Sequence, residues 1–208
     1  GVMSKKIIIS FEGIEGSGKS YHLQNVCNYL KKNKVPYIKL REPGGSKNAE
    51  KIRKLILNNK SNFNKKTDLL LYLASRSENV EKIIKKNYKK KIILIDRFID
   101  STLAYQHYGM GINKSIINRL NDYLLEKIKI DFTFLNLVNM VNLKLRLSKR
   151  QNLNRYDNFK ISFYKKIQNG FIKISKKNKK KYLLINSNDS INKNKKIILS
   201  KTNKLLGL

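Results

Sequence analysis

Short apolar runs recur along the chain, and the segments between them carry apolar residues at helical spacing. The clearest run, Ile92-Ile93-Leu94-Ile95, has no polar alternation and is therefore typical of a central parallel strand that is buried on both faces. Pro36 stands near the start of another run, where a strand tolerates a missing N–H. The pattern predicts strands at residues 5–11, 35–40, 92–95, 132–138 and 182–185.

The segments between these runs predict helices, because their apolar residues recur three and four positions apart. The predicted helices cover residues 18–33, 47–58, 64–88, 98–107, 114–127, 142–148, 159–178 and a lysine-rich C-terminal stretch. Asn64 or Thr67 would cap the longest of them. Alternating strands and helices predict an α/β fold, a five-stranded parallel sheet with helices on both faces. We expect residues 3–208 to form a single domain, and Gly1 and Val2 resemble a cloning remnant.

A glycine-rich turn after the first strand matches the phosphate-loop pattern G-x-x-x-x-G-K-[ST]. Glycines let successive N–H groups point at an anion, and the following helix adds its positive end. Lys19 would reach the β- and γ-phosphates of ATP, and the Ser20 hydroxyl would bind Mg²⁺. A turn that binds nothing is the alternative, but the strand before it and the helix after it favour a P-loop NTPase-type fold. The expected ATP-binding residues are Gly13, Ile14, Glu15, Gly16, Ser17, Gly18, Lys19 and Ser20.

Asp96 and Arg97 come directly after the buried third strand. Ligands gather at the carboxyl ends of the strands in such sheets, so Glu15, Arg41-Glu42 and Asp96-Arg97 are expected in one crevice. Asp96 suits Mg²⁺ binding through water, and the planar guanidinium of Arg97 suits a second phosphate. The alternative is a buried Asp–Arg pair that only holds the strand end.

The chain carries 46 Lys and Arg residues against 14 Asp and Glu residues, a formal net charge of +32. Such a charge can indicate nucleic-acid binding. The lysines are spread along the whole chain, however, and no nucleic-acid-binding motif accompanies them. We therefore favour lysines on solvated faces over a nucleic-acid partner, although the purpose of the charge stays open.

Three arginines, Arg146, Arg150 and Arg155, surround a polar segment at about 148–158. A flexible segment of this kind that folds over phosphates would act as a lid, excluding water and neutralising charge. An ordinary solvated loop explains the same composition equally well. The sequence leaves open which of the three arginines is catalytic.

Cysteine content and hydropathy indicate the compartment. Cys27 is the single cysteine, so no internal disulfide forms and a reducing cytoplasm is expected. No apolar run approaches the length that spans a bilayer, so we expect no membrane partner.

Four motifs, in order, resemble those of bacterial thymidylate kinase, a P-loop nucleoside monophosphate kinase. The last of them, residues 96–106, is the most specific, and the resemblance covers most of the chain. It implies transfer of the γ-phosphoryl group of ATP–Mg²⁺ to dTMP, giving dTDP and ADP. The motifs are residues 11–20, Arg41-Glu42-Pro43-Gly44-Gly45, Leu73-Ala74-Ser75-Arg76 and Asp96-Arg97-Phe98-Ile99-Asp100-Ser101-Thr102-Leu103-Ala104-Tyr105-Gln106.

The resemblance also implies residue roles. Tyr72 would stack on thymine, where most members have Phe, and Tyr105 would sit against the 2′ position of the sugar. The implied catalytic residues are Lys19, Arg97, Arg150 and Glu15. The implied dTMP-binding residues are Glu15, Pro43, Arg53, Tyr72, Arg76, Arg97, Thr102, Tyr105 and Gln106. The implied metal ligands are Ser20 and, through water, Asp96.

Some of these residues have simpler explanations. Tyr72 and Tyr105 would pack on apolar helix faces, and Arg53 would pair with Glu50 or a neighbouring acid on its own helix. The segment after Arg150 also lacks the glycine expected in a lid of this family, which leaves lid geometry open.

Two other functions are open from the sequence. One is another small-molecule kinase of the same fold, and the other is a basic nucleic-acid-binding P-loop protein, which would bind DNA or RNA with steep salt dependence. Relatives are dimers, so we expect a homodimer with ATP and dTMP as its partners. The tolerance for dUMP is open.

Overall fold

A parallel sheet organises the chain in a computed structural model that describes residues 3–208. Within those residues its five strands are β1 (Ile8–Glu12), β2 (Tyr37–Arg41), β3 (Ile92–Asp96), β4 (Phe132–Leu137) and β5 (Tyr182–Asn186). Their order across the sheet is β2-β3-β1-β4-β5, and every neighbouring pair is parallel. The predicted sheet is confirmed, whereas the remnant suggested at Gly1 and Val2 lies outside the described residues.

Helices connect the strands. In chain order they are α1 (Lys19–Lys32), α2 (Lys47–Leu57), α3 (Lys65–Asn79), α4 (Lys85–Asn87), α5 (Ile99–Thr102), α6 (Lys114–Leu125), α7 (Met140–Ser148), α8 (Ile161–Lys176) and α9 (Ile191–Leu206). Two π-helical turns, Val80–Ile84 and Leu103–Gly109, and two 3₁₀ turns, Arg155–Asp157 and Lys179–Lys181, lie between them.

The sheet is buried on both faces. Ile9 of β1 packs in a cluster with residues of α1 and α9, whereas its neighbour Ile8 packs in a second cluster with Val80 and Ile84. Successive side chains of a strand point to opposite faces, so an unbroken apolar run is what a strand between two helical layers requires.

Polar side chains fix where several helices begin. Asn64 accepts hydrogen bonds from the N–H groups of Lys66 and Thr67, both at 3.0 Å, so Asn64 rather than Thr67 caps α3. Ser46 caps α2 by accepting from the N–H of Ala49 at 3.3 Å. The orientation of α2 and α3 matters because both helices carry residues that were predicted to bind substrate.

Two helices differ from the sequence prediction by containing a π turn. The helix expected over 64–88 passes through Val80–Ile84, and the one expected over 98–107 becomes π-helical at Leu103–Gly109. In the second turn the Met110 N–H donates to the carbonyl of Tyr105, five residues earlier, at 2.9 Å. A single π turn is too short to leave a period of its own in the pattern of apolar residues, so the sequence does not separate it from an α turn.

The described residues 3–208 contain no helix that is both long and apolar enough to cross a bilayer. The carboxyl ends of β1, β2 and β3 instead gather the polar segments that form the site below.

Candidate active site

A cavity of about 240 Å³ opens where β1, β2 and β3 end. The loops after these strands, helix α3, the π turn Leu103–Gly109 and the segment 148–158 all contribute to its wall. Every residue that was predicted to bind the acceptor lines it, and so do the predicted catalytic and metal-binding residues. These are Glu15, Lys19, Ser20, Pro43, Arg53, Tyr72, Arg76, Asp96, Arg97, Thr102, Tyr105, Gln106 and Arg150.

The phosphate loop places Lys19 and Ser20 against the carboxylate at the end of β3. Lys19 Nζ lies 3.4 Å from Asp96 Oδ1, and the Ser20 hydroxyl donates to Asp96 Oδ2 at 2.6 Å. Burial would raise the pKa of Asp96, but the charge of Lys19, the Ser20 hydrogen bond and the charge of Arg97 hold it below its ordinary value. Asp96 is therefore ionised at neutral pH.

The same residues fit a magnesium ion. Mg²⁺ prefers oxygen ligands and keeps several of its waters, and a hydroxyl and a carboxylate meet here. Asp96 Oδ1 is buried and accepts no well-aligned hydrogen bond from residues 3–208, so it retains a lone pair for a bound water.

Arg97 has a left-handed backbone conformation, φ 66°, which residues other than glycine seldom adopt. Its Nη2 lies 3.1 Å from Glu15 Oε1, and its Nη1 donates to the Ser101 hydroxyl at 3.2 Å. Burial would lower the pKa of Arg97, but Tyr105, Glu15 and Asp96 raise it above its ordinary value. Arg97 is thus a permanent cation, and its contacts with Glu15 and Ser101 fix the orientation of its side chain.

Arg76 is almost completely buried beside Glu42. Its Nη2 and Nε donate to Glu42 Oε1 at 2.8 and 2.9 Å, and it also donates to Thr102 Oγ1 at 2.9 Å and Asn121 Oδ1 at 2.6 Å. Burial raises the pKa of Glu42 despite the opposing charge and hydrogen bonds of Arg76. The Gln106 amide nitrogen is buried too and has no hydrogen-bond partner within residues 3–208, so it is a donor without an acceptor.

Arg53 points to the cavity rather than to its helix surface. Its Nη1 donates to the Pro43 carbonyl at 2.6 Å, whereas Glu50 pairs with Arg41 at 3.0 Å on the exposed side. The sequence-based alternative, in which Arg53 pairs with Glu50, is therefore wrong. Burial, followed by the charge of Arg41, lowers the pKa of Arg53.

A second cavity, of about 390 Å³, lies on the other side of the phosphate loop. Arg146 borders it and donates to the carbonyls of Gly16 and Ser187, both at 2.7 Å. The remaining lining residues include Ser17, Gly18, Lys19, Ser20, Tyr21, His22, Arg150, Ile191 and Asn194. Lys19, Ser20 and Arg150 border both cavities, so these three residues mark where the two spaces meet.

Two of the residues expected to bind ATP border neither of the two cavities described here, namely Gly13 and Ile14. The Ile14 side chain is fully buried in the cluster that contains Leu135 and Leu143. Any contribution of Ile14 to nucleotide binding must therefore come from its backbone.

The segment 148–158 folds over the first cavity. Tyr156 is buried, and its ring meets the ring of Tyr72 edge to face with the centroids 5.9 Å apart. Asn154 and Asp157 cap the 3₁₀ turn reciprocally, and Arg150 forms an ion pair with Asp157. A wholly solvated loop would not bury a tyrosine and an aspartate, so the lid interpretation is favoured.

The three arginines of this region have different surroundings. Arg150 borders both cavities, Arg146 borders the second, and Arg155 borders neither, since it pairs with Asp68 at 2.5 Å. Arg150 is thus the one with access to the junction of the two cavities.

Comparison with known proteins gives a consistent result. The sequence model of the family described as thymidylate kinase matches residues 11–198. The chain belongs to the thymidylate kinase family. It is 35% identical to thymidylate kinase of Kosmotoga olearia over 189 residues, covering 90% of each chain. It is 38% identical to thymidylate kinase of Clostridium novyi over 197 residues, covering 92% of this chain and 95% of that one.

A solved thymidylate kinase structure has the same fold. The crystal structure of the enzyme from Ehrlichia chaffeensis superposes with a TM-score of 0.77 at 33% identity, covering 95% of this chain and 98% of that one. The resemblance to thymidylate kinases proposed from the four motifs is therefore confirmed.

Some residues that line the first cavity were not predicted from the sequence. Ser101, Asn154 and Tyr156 also border it. Two signals for the lid residues were present in the sequence, namely an isolated aromatic residue within a polar stretch and the capping pattern Asn154-x-x-Asp157.

Proposed function

We propose that this protein transfers the γ-phosphoryl group of ATP to dTMP, forming dTDP and ADP. The observation that carries this proposal is that Lys19, Ser20 and Arg150 border both cavities. Phosphates of two nucleotides that enter from opposite sides would meet at these residues. Two polyanions repel each other, so fixed cations and precise positioning do most of the catalytic work.

The first cavity takes dTMP in this proposal. Tyr72 stacks on the thymine ring, with Pro43 packed beside the base. Arg76 binds one polar edge of the base, and Thr102 and Gln106 lie near the other. Gln106 supports this assignment because its amide nitrogen is an unsatisfied buried donor, and a thymine carbonyl would accept from it.

The sugar and the phosphate of dTMP lie nearer the phosphate loop. Arg53 and Arg97 hold the monophosphate, and Glu15 lies near the sugar hydroxyl. Tyr105 fills the space beside the 2′ position and disfavours a ribose, which its burial and its hydrogen bond to Glu15 support.

The second cavity takes ATP, with its phosphates on the N–H groups of residues 13–20. Lys19 binds the β- and γ-phosphates, and Arg150 neutralises charge on the transferring group. Ser20 would ligate Mg²⁺ and Asp96 would hold one of its waters, and the ion when bound offsets phosphate charge. The nucleophile is already a phosphate oxygen of dTMP, so these residues need only orient it and exclude water.

An acceptor panel tests the proposal. The protein is incubated with ATP labelled at the γ-phosphate, Mg²⁺, and dTMP, dUMP, dCMP, dGMP or shikimate in turn. We expect dTMP to give the highest kcat/KM, and the dUMP value measures how strongly the thymine methyl group is recognised. A different best acceptor would identify another kinase of this fold. Hydrolysis of ATP without transfer, together with salt-sensitive DNA or RNA binding, would instead favour the nucleic-acid alternative.

Two further parts of the proposal concern assembly and location. We propose a homodimer in the cytoplasm, where the buried thiol of Cys27 stays reduced. Light scattering of the purified protein measures the assembly, and a monomeric mass at micromolar concentration would contradict it.

A further inference from the structure

The lid is fastened to helix α3 at a point outside both nucleotide cavities. Arg155 Nη2 lies 2.5 Å from Asp68 Oδ1, and the two side chains are 17% and 5% exposed. Neither residue borders the two cavities described above. This ion pair does not contact a nucleotide in either cavity. Breaking it would nevertheless leave a nearly buried charge without a partner, so the pair holds the lid against α3.

The next residue of the lid forms part of the acceptor cavity. Tyr156 packs edge to face against Tyr72 and against Tyr105, with centroid distances of 5.9 and 5.8 Å. The guanidinium carbon of Arg155 lies 5.2 Å from the centre of the Tyr156 ring. A continuous series of contacts therefore runs from Asp68 through the lid to Tyr72, which lies one turn further along the same helix α3.

The lid turn also fixes the catalytic arginine proposed above. Asp157 accepts a hydrogen bond from the Asn154 N–H at 3.0 Å and pairs with Arg150. The Tyr156 carbonyl accepts a hydrogen bond from the Tyr164 hydroxyl. Residues 154–157 form one compact turn, so Arg155 and the Asp157 carboxylate that pairs with Arg150 belong to the same rigid unit.

We propose that Asp68 and Arg155 are positioning residues whose ion pair latches the lid over the acceptor cavity. Closure places Tyr156 against Tyr72 and brings Arg150 to the junction of the cavities, so acceptor binding and lid closure favour each other. If only a fraction of the molecules is closed, the apparent affinity for the acceptor equals the affinity of the closed state multiplied by that fraction. The latch stands on the geometry alone, and only its effect on dTMP rests on the function proposed above.

Hydrogen exchange of the nucleotide-free protein tests the latch independently of any substrate. We expect amides of residues 149–158 to exchange about tenfold faster in Asp68→Asn and in Arg155→Gln than in the wild type. Glu81→Gln is the control, because it removes a carboxylate that pairs with Lys85 at 2.6 Å on the exposed surface further along the chain. Equal lid exchange in all four proteins, wild type included, would overturn the latch.

Steady-state kinetics tests the coupling. We expect Asp68→Asn to raise the KM for dTMP about tenfold and to lower kcat, with the KM for ATP within about twofold of wild type. Arg155→Gln on the Asp68→Asn background should add no further loss, since both changes break one contact. Arg155→Lys, which keeps the positive charge opposite Asp68, should retain more activity than Arg155→Gln.

The two measurements separate the latch from the proposed reaction. Faster lid exchange with unchanged dTMP kinetics would refute the coupling. Additive losses in the double variant would show that Asp68 and Arg155 act separately, which also overturns the proposal. A different acceptor in the panel above would contradict the proposed reaction, while the exchange result would still decide the latch.

Discussion

The buried pair of Glu42 and Arg76 allows a quantitative prediction. Glu42→Gln keeps the size of the side chain and removes only its charge. Arg76 would then be a buried cation whose remaining partners, Thr102 and Asn121, are neutral. Asn79 adds a second cost: its amide nitrogen donates to Glu42 Oε2 at 3.3 Å, so the new Gln amide would face another donor.

The magnitude follows from burial. The side chains of Arg76 and Glu42 are 1% and 4% exposed, so water cannot solvate the guanidinium once the carboxylate is removed. Breaking such a pair on one side costs about 3–5 kcal/mol, and for a chain of this length that corresponds to a fall in Tm of about 6–20 °C. Asn79 cannot turn its amide to relieve the clash, because it also donates to the Gly44 carbonyl at 2.6 Å and accepts from the Ser46 N–H at 2.9 Å.

Urea unfolding followed by circular dichroism measures this loss, and the KM for dTMP reports whether Arg76 keeps its place. We expect the KM to rise about tenfold, equal to about 1.4 kcal/mol of binding. The double variant Glu42→Leu with Arg76→Met should recover much of the stability, because neither position then carries a buried charge. It should not recover dTMP binding, because the guanidinium is gone. A loss below about 1 kcal/mol in Glu42→Gln would refute the reasoning, since it would mean that water reaches Arg76.

Three more predictions follow from the site and its supports. Arg150→Ala should lower kcat about 10²–10⁴-fold with little change in the KM for dTMP, and an unchanged kcat would remove Arg150 from the catalytic set. Burial, and then Asp100, raise the pKa of Glu12 to about 7 from 4.5. The folded protein therefore holds this proton more tightly than the unfolded chain and loses stability as pH rises from about 4.5 to 7. Glu12→Gln should flatten this fall when Tm is measured against pH. Parallel Tm curves for the variant and the wild type would show that Glu12 does not cause the fall. Gly45→Ala should cost about 1–3 kcal/mol in urea unfolding, because φ is 112° and a Cβ would lie 2.7 Å from Leu40 Cδ1; an unchanged midpoint would show that the loop adjusts.

The sheet was predictable because its strands carry a local signal. Ile92-Ile93-Leu94-Ile95 is apolar on both faces, and the structure buries all four side chains. The π turn Leu103–Gly109 was not predictable, since a single turn is too short to show a period of its own in the sequence. The turn nevertheless contains both Tyr105 and Gln106, two residues of the cavity wall.

In the site, too, some features could be predicted from the sequence and others could not. Asp96 ends β3 and Arg97 follows it, and both line the cavity in which they were expected, because parallel strands end at a common edge. The partner of Arg76 was not predictable, because Glu42 lies 34 positions away and only tertiary packing brings the two together. The pairing of Arg155 with Asp68, 87 positions apart, was missed for the same reason.

The burial of acidic side chains in and around the site changes the outer surface of the protein. Glu12, Glu15, Glu42, Asp68 and Asp157 are all buried, which leaves nine of the 14 carboxylate side chains to offset a cationic exterior. The exterior is therefore even more one-sided than the formal charge of +32 suggests. Long-range attraction should accelerate the arrival of any nucleotide, and added salt should slow that arrival even where the chemistry of the bound pair is untouched.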